Sequence, residues 1–346
     1  MENNPKSTIS STAIVSSGNS LEKSTPGNGD CTNSAAAISP ETLALIEQAL
    51  SPETLRAYRA DVDRFNLWRL ESGFRELSSE VVADWVASQH SAGYKISSIT
   101  RGLSALKCLY PWTGEATRDP IVRLALKGAR RGQIDRQVAK ARPVTPDELE
   151  RMCDVWPQTT TIGLRNRAIL RLGWLCAARI SELLSLHVSD LEWTAEGVAV
   201  LIRRSKTDKD GIGALIGVPQ CEWLGEVRAW WERSKWLQQT FDAILFPRFR
   251  RGPDQIQASI VARRKLSARA ARDMVYLSAT RAGLADVSPH SLRSGLITFA
   301  ASIGVPERLL AAHSRHASIK VLRGYIHRGS IWKDNALDLV VRRLDG

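Results

Sequence analysis

One stretch of the chain constrains its fold more than any other. In VAVLIRRSKTDKDGIGALIGVP, residues 198–219, apolar side chains alternate from Val198 to Ile202, and the pattern breaks at Asp210-Gly211 before apolar residues resume. A period of two predicts a strand, and a polar-glycine break between two such runs predicts a hairpin. The flanking segments show helical spacing instead. The sequence therefore predicts a mainly helical protein with a small antiparallel β-sheet, an α+β fold.

The first half of the chain is predicted to contain a tail and a helical domain. With 346 residues, two domains are expected. Ser51 and Pro52 form a helix-start signal, and three helical stretches make residues 39–130 an all-helical domain. Residues 1–38 are rich in Ser, Asn, Gly and Thr and lack periodic apolar residues. This composition is typical of a disordered tail.

A second helix start marks the beginning of another domain. In PVTPDELERM, Thr145 is a predicted N-cap, Pro146 follows at the first helical position, and acidic residues occupy the first turn. We therefore expect a second domain over residues 143–346. The basic stretch 131–142 is predicted to link the two domains.

The charge of the chain indicates an acidic partner. The formal net charge is +12 and the isoelectric point about 9.8, which favours DNA or RNA over an ordinary basic enzyme. Five scattered cysteines suggest reduced thiols rather than disulfides or a zinc site. Neither a leader of signal-peptide type nor an apolar run of membrane-spanning length is present. We expect a cytoplasmic protein with no membrane contact.

Several polar residues could belong to a phosphate-binding site. Leu175, Arg179 and Leu183 are spaced by four, which places Arg179 on or beside an apolar helical face. Its partner there is either a bound phosphate, with Glu182 orienting the guanidinium, or Glu182 alone in a structural pair. Lys206 lies near the hairpin tip, where it either enters a site or stays in solvent.

A second candidate group follows in VSPHSLRSG. His290 and Arg293, three residues apart, project from one face near a predicted helix N-terminus, which is well suited to hold a phosphate oxygen. Tyr325 lies among basic residues in ASIKVLRGYIHRG. It is either an aromatic anchor or a nucleophile whose phenolate is stabilised by that charge. Tyr276, on an apolar helical stretch, is predicted to lie in the core.

These motifs together resemble the signature of the tyrosine recombinase (phage integrase) family, with spacing similar to Cre-like members. ARISELLSL, SKTDKDG, PHSLR and HASIKVLRGY occur in the family's order between residues 179 and 325. The pattern of Thr54, Tyr58, Phe65 and Trp68 resembles its helical core-binding domain. The resemblance implies a C-shaped clamp of two domains, a SAM-like core-binding domain and a catalytic domain.

The resemblance also implies the role of each site residue. Arg179 and Arg293 would hold the scissile phosphate, with Glu182 supporting Arg179, and Lys206 would protonate the leaving 5′-oxygen. His290 would assist proton transfer, and His316 would hydrogen-bond a non-bridging oxygen of the phosphate. Tyr325 would be the nucleophile. His316 is preferred to His313 because it stands nine residues before Tyr325. Arg315 departs from the pattern, since glycine is common there, and so does Ala178, where leucine is common.

The resemblance predicts the reaction and the partners. The expected activity is site-specific DNA recombination through a 3′-phosphotyrosine, without cofactor, metal or ATP, on a double-stranded DNA site. Independently of the resemblance, Arg101, Lys107, Arg130 and Arg131 are the candidate DNA-binding residues of the first domain and the linker, although Arg101 and Lys107 could equally be solvated surface residues. A C-terminal helix at about 332–343 either folds back on its own domain or, as the resemblance suggests, docks on a neighbouring subunit and builds a tetramer on two DNA sites. The alternatives are a type IB topoisomerase-like enzyme and a non-catalytic DNA-binding regulator.

Overall fold

The computed structural model divides into two compact units, Met1–Gln137 and Val138–Gly346. The residues that the structure describes are 39–109, 114–132, 142–203, 213–238, 243–249, 260–316, 318–329, 341 and 343. The division between the units falls within the predicted linker. The predicted tail, most of that linker and nearly all of the predicted C-terminal helix lie outside the described residues.

The first unit is all-helical in its described part. Its helices are α1 (Pro40–Gln48), α2 (Pro52–Glu71), α3 (Ser79–Ser91), α4 (Ile96–Leu109) and α5 (Pro120–Arg131). The predicted start of α2 is confirmed, because the Ser51 side chain accepts a hydrogen bond from the Thr54 N–H. Trp85 is fully buried at the centre of the core. Gly102 of α4 packs so closely against it that a Cβ would lie 2.4 Å from the indole ring.

The second unit combines helices with two small antiparallel sheets. Its helices are α6 (Pro146–Asp154), α7 (Thr161–Leu175), α8 (Ile180–Leu183), α9 (Trp223–Gln238), α10 (Ala268–Arg281), α11 (Pro289–Ser302), α12 (Glu307–Ser314) and α13 (Ile319–Gly329). Its strands are β1 (Leu191–Trp193), β2 (Gly197–Ile202), β3 (Ala214–Pro219), β4 (Pro247–Phe249) and β5 (Ile260–Lys265). The α+β fold class is confirmed.

The predicted hairpin is also confirmed. Strands β2 and β3 are antiparallel neighbours, with Val200 opposite Ile216, and β1 pairs with the other side of β2. The alternation arises because Val198, Val200 and Ile202 are buried against the helices. The tip of the hairpin, residues 204–212 with Lys206, lies outside the described residues.

The start of the second unit supports the helix that carries two site residues. Thr145 is the N-cap of α6, as predicted, and Glu148 completes a capping box with it. Just before it, the Val144 carbonyl accepts a hydrogen bond from Trp174 Nε1 of α7 at 3.0 Å. Gly295 of α11 lies against this pair, since a Cβ there would be 2.2 Å from the Val144 oxygen. The position of α11 is therefore fixed by close packing on a hydrogen-bonded surface.

The last helices pack through a separate small cluster. Its buried residues are Ile297, Ala300, Ala301, Leu310 and Leu322, and Tyr325 packs against them. The prediction that Tyr276 is a core residue is wrong, because its side chain on α10 is 46% exposed. Four apolar residues in a row, MVYL, gave no way to tell which would face the core, and Met274 and Val275 do.

Candidate active site

Arg179 lies in a turn between two helices rather than on a continuous helix. Helix α7 ends at Leu175 and α8 begins at Ile180, with Arg179 as its N-cap. Ala177 takes a left-handed conformation, φ +44°, which breaks the helix that the spacing predicted. The turn leaves the Arg179 side chain 25% exposed, so its guanidinium reaches the surface of the unit.

Glu182 is the carboxylate that balances this arginine. Its Oε1 accepts from Arg179 Nη1 at 2.5 Å, and its Oε2 accepts from the Arg179 backbone N–H at 3.0 Å. Burial would raise the pKa of Glu182, but the two hydrogen bonds from Arg179 and the charges of Arg315 and Arg179 lower it below its ordinary value. Glu182 is therefore ionised and holds Arg179 in place. Both alternatives from the sequence, orientation for a phosphate and a purely structural pair, include this contact.

Arg293 is almost fully buried beneath the same turn, with 1% of its surface exposed. Its Nη1 donates to the Ala177 carbonyl and its Nη2 to the Ser314 carbonyl, each at 2.5 Å. Burial and the nearby Arg179 lower the pKa of Arg293 to about 10, so the group remains a cation at neutral pH. Two carbonyls from distant parts of the chain thus fix a positive charge at the floor of the site.

The Tyr325 hydroxyl is hydrogen-bonded to a histidine, His290. The hydroxyl oxygen lies 2.7 Å from His290 Nε2, which joins α13 to the start of α11. Desolvation and the charges of Arg293 and Arg179 lower the pKa of His290. The imidazole is therefore neutral at pH 7 and able to accept a proton from the phenol. His290 and Arg293 share one face of α11, as their spacing predicted.

His316 completes the cluster, and His313 does not join it. The His316 ring centroid is 5.9 Å from that of Tyr325, and its Nδ1 lies 2.6 Å from Ser314 Oγ and 3.3 Å from Arg293 Nη2. Burial and the surrounding cations lower the pKa of His316 to about 4. His313 instead turns away and bonds the Leu175 carbonyl at 2.8 Å. The geometry thus favours His316 as the site histidine.

Arg315 is a site residue to which the sequence assigned no role. Its side chain bonds Glu182 Oε2 at 3.0 Å and is only 8% exposed. The signal available in the sequence was its place immediately before His316, where the family pattern has glycine. A cation buried beside Arg179 and Arg293 could not be inferred from that departure alone.

The remaining predicted residues lie elsewhere. Lys206 lies outside the described residues. Arg101 forms an ion pair with buried Asp61, its Nε 2.6 Å from the carboxylate, so part of its function is structural. Lys107, Arg130 and Arg131 are exposed on the first unit.

The site presents fixed positive charge beside the Tyr325 hydroxyl. Arg179 and Arg293 are suited to hold the oxygens of a phosphodiester by charge-assisted hydrogen bonds, and the hydrogen-bonded Tyr325–His290 pair is suited to act as a nucleophile and its base. Within the described ranges, no three His, Cys, Asp or Glu side chains are placed to bind a metal ion. In the same ranges no helix has the length and apolar character needed to cross a membrane.

Comparison with known families agrees with this geometry. The sequence model of the phage integrase family matches residues 142–330, and that of the phage integrase N-terminal SAM-like domain matches residues 42–115. The first match alone covers more than half of the chain. The fold and site define a tyrosine recombinase, and the chain belongs to the phage integrase family.

Individual relatives extend over most of the chain. An integrase/recombinase xerD homolog of Selenomonas ruminantium is 28% identical over 305 residues, covering 85% of this chain and 86% of the relative. A tyrosine recombinase XerD of Neisseria meningitidis serogroup A is 28% identical over 297 residues, covering 84% and 92%.

Solved structures share the fold. The XerH site-specific recombinase in a post-cleavage complex with a palindromic difH substrate has a TM-score of 0.60 at 18% identity, over 86% of each chain. A lambda integrase dimer bound to a COC′ core site has a TM-score of 0.53 at 14% identity, over 83% of this chain and 95% of that one.

Proposed function

We propose that this protein is a site-specific DNA recombinase in which Tyr325 attacks a phosphodiester and becomes joined to the 3′-phosphate. The observation that carries the proposal is the 2.7 Å contact between the Tyr325 hydroxyl and His290 Nε2. A phenol with an ordinary pKa of about 10 is a poor nucleophile at neutral pH without a base and nearby cations. Here both are present.

In the cleavage step, named residues form the new bond and transfer both protons. As the Tyr325 oxygen bonds to phosphorus, its proton passes to His290, and the bond from phosphorus to the 5′-oxygen breaks. Lys206 protonates that leaving oxygen, which becomes a free 5′-hydroxyl. Positioned acid–base catalysis of this kind contributes about 10²- to 10⁴-fold.

The arginines stabilise the charge that builds on phosphorus. Arg179 and Arg293 bind the phosphoryl oxygens, and Glu182 keeps Arg179 in place. His316, whose ring lies beside Tyr325 and whose Nε2 is 3.3 Å from Arg293 Nη2, is the further residue assigned to a non-bridging oxygen. Fixed donors aimed at developing charge give the largest single contribution to many enzymes, since they need no reorganisation during the reaction.

The covalent intermediate explains how strands are exchanged. The phosphotyrosyl bond retains the energy of the broken phosphodiester, so a 5′-hydroxyl from a second DNA can attack it and release Tyr325. No ATP is needed. The 28% identity to a XerD recombinase over most of both chains favours this activity over a topoisomerase. The intact Tyr325–His290 pair weighs against a regulator that only binds DNA.

A suicide-substrate assay tests the proposal. Nicked duplex DNA carrying the sequence that flanks the protein's own gene is incubated with the parent protein, and DNA-linked protein is measured on a denaturing gel. We expect an adduct with the parent, none with Tyr325→Phe, and parental amounts with Tyr276→Phe, an exposed control tyrosine. An adduct that survives in Tyr325→Phe, or none from a parent that binds the fragment, would refute the proposed chemistry.

We further propose that subunits assemble into a tetramer on two DNA sites through the C-terminal segment. The catalytic unit carries an apolar groove of about 640 Å³, lined by residues such as Leu175, Leu215, Ile216, Val305, Leu309 and Leu310. Leu215 and Leu309 are exposed. The sequence offers a matching apolar stripe, Trp332, Ala336 and Val340, and the groove would receive this stripe from a second copy.

Substitution on each side of this contact tests it. Leu309→Glu and Trp332→Ala should each leave single-site DNA binding unchanged and abolish the four-subunit complex on two sites, as measured by light scattering. Ile319→Glu is the control, since Ile319 is an exposed apolar residue that does not line the groove. A tetramer that persists in both Leu309→Glu and Trp332→Ala would refute the assignment.

The first unit supplies DNA contacts in this proposal. Lys107 lines a groove with Arg118 and Arg123, flanked by the hydroxyl groups of Thr100 and Ser104. Such a set suits backbone phosphates, which position a protein on DNA without reading its sequence. Because the substrate is DNA, we expect the protein in the cytoplasm and on the nucleoid when bound.

A further inference from the structure

Arg315 occupies a position that is costly for its residue type. It ends α12 in the left-handed conformation, φ +56° and ψ +44°, where glycine is the usual residue. A side chain with a Cβ is unfavourable in that conformation. Its guanidinium is also buried, which is unfavourable unless hydrogen bonds compensate. A backbone role alone would be better served by glycine.

The Arg315 guanidinium hydrogen-bonds residues on both sides of Arg179 in the sequence. Nη1 donates to the Cys176 carbonyl at 3.2 Å and to the His313 carbonyl at 3.0 Å. Nη2 donates to the Glu182 carboxylate at 3.0 Å. Cys176 precedes Arg179 in the turn, and Glu182 follows it. Arg315 thus connects both sides of the Arg179 turn to the segment that continues into His316.

The shared carboxylate determines where the Arg179 charge is directed. Glu182 is buried and carries one negative charge, and Arg179 and Arg315 both donate to it. If Arg179 were its only cationic partner, the full charge of the carboxylate would draw the Arg179 guanidinium inward. Because Arg315 meets part of that charge, more of the Arg179 charge is left for a phosphate at the surface.

We propose that Arg315 is a positioning residue that acts through Glu182: it fixes the turn around Arg179 and shares the carboxylate, so that Arg179 faces the scissile phosphate. The proposal rests on the proposed function, and it assigns to this chain a support that a glycine in the same place could not give. Arg315 does not itself contact the DNA.

Arg315→Gly separates this role from folding. Glycine suits the left-handed backbone, but the change also removes the contacts to Glu182 and two carbonyls, so the melting temperature is measured alongside the rate and is expected to fall rather than rise. The affinity for DNA should change less than about threefold, whereas the first-order rate of adduct formation at saturating DNA should fall about 10- to 100-fold, as expected for a displaced catalytic group. Arg308→Ala, which removes an exposed cation from the same helix, should match the parent. If Arg315→Gly melts below the assay temperature, Arg315→Lys is used instead. Lysine keeps the charge but lacks the two-nitrogen geometry of the guanidinium, so the rate of adduct formation is expected to fall by the same factor.

A double-mutant cycle tests the route through Glu182. If Arg315 acts through that carboxylate, adding Arg315→Gly to Glu182→Gln should lower the rate by less than about threefold further, because linked residues are not additive. A rate within twofold of the parent for Arg315→Gly, or a full additional loss in the Glu182→Gln background, would overturn the proposal. If the parent forms no adduct, the proposed function fails and this inference fails with it, whereas an active parent with an equally active Arg315→Gly overturns only the inference.

Discussion

Gly295→Ala should damage both the stability and the activity of the catalytic unit. A Cβ at this position would lie 2.2 Å from the Val144 oxygen and 2.8 Å from Trp174 Nε1. Neither neighbour can yield freely, since one is backbone and the two are hydrogen-bonded to each other at 3.0 Å. Helix α11 must therefore move by about 1 Å to restore a normal contact, and it carries His290 and Arg293.

The magnitude follows from these contacts. Overpacking a close-packed site costs about 1–3 kcal/mol, and weakening the buried hydrogen bond adds about 1 kcal/mol. For a unit of this size, a total of about 2–4 kcal/mol lowers the melting temperature by roughly 4–16 °C. A shift of about 1 Å in a catalytic group can lower a rate about 100-fold, so adduct formation should fall by one to two orders of magnitude.

The assay combines thermal unfolding with single-turnover adduct formation below the melting temperature. Gly225→Ala is the matched control, because a Cβ there meets nothing within 4 Å. This control should gain about 0.4–1 kcal/mol from reduced freedom of the unfolded chain. A Gly295→Ala protein that melts and reacts like the parent would show that α11 is not held by this contact.

Three further outcomes are expected. Gly102→Ala, whose Cβ would lie 2.4 Å from the Trp85 ring, should destabilise the first unit by about 1–3 kcal/mol, measured by denaturant unfolding, and an unchanged midpoint would contradict this packing. The lowered pKa of His290 predicts that adduct formation rises as the pH increases through a value below 6.5, because the neutral imidazole is the base; a rate that does not rise with pH anywhere below 6.5 would exclude that role. The His316 pKa of about 4, below its ordinary 6.5, means that its contribution to stability is complete above pH 6.5 and is lost as the pH falls toward 4, since the unfolded chain takes up the proton first. His316→Gln should therefore have a flatter melting temperature profile than the parent over that interval, and identical profiles would refute the shift.

Local patterns were sufficient to predict the elements but not all of their ends. The Thr145 cap and the alternating residues of β2 depend on neighbours in sequence, so both could be inferred from it. The break at Ala177 could not. Its carbonyl is bonded by Arg293 from 116 positions away, and this long-range contact favours a left-handed turn where the local spacing favoured a continuous helix.

The predicted catalytic residues that the structure describes do come together, and the reason is chemical. Two arginines in one site repel each other unless an anion offsets their charge, so the order of the motifs that carry Arg179, His290, Arg293 and Tyr325 was informative. Arg315 carried none, because only the fold brings its guanidinium to Glu182. The exposure of Tyr276 was missed for a similar reason, since burial on α10 is decided by the elements packed against it.

The small cluster beneath Tyr325 has a consequence for how the nucleophile behaves. Helix α13 is anchored chiefly by Leu322, three residues before Tyr325, in a group separate from the main core of the unit. Local opening of such a segment requires less free energy than global unfolding. In hydrogen-exchange measurements, the backbone amides of α13 should therefore exchange faster than those of α7. In the proposed mechanism, such an opening would separate the Tyr325 hydroxyl from His290 while the rest of the catalytic unit stays folded, so the nucleophile would be in place only part of the time.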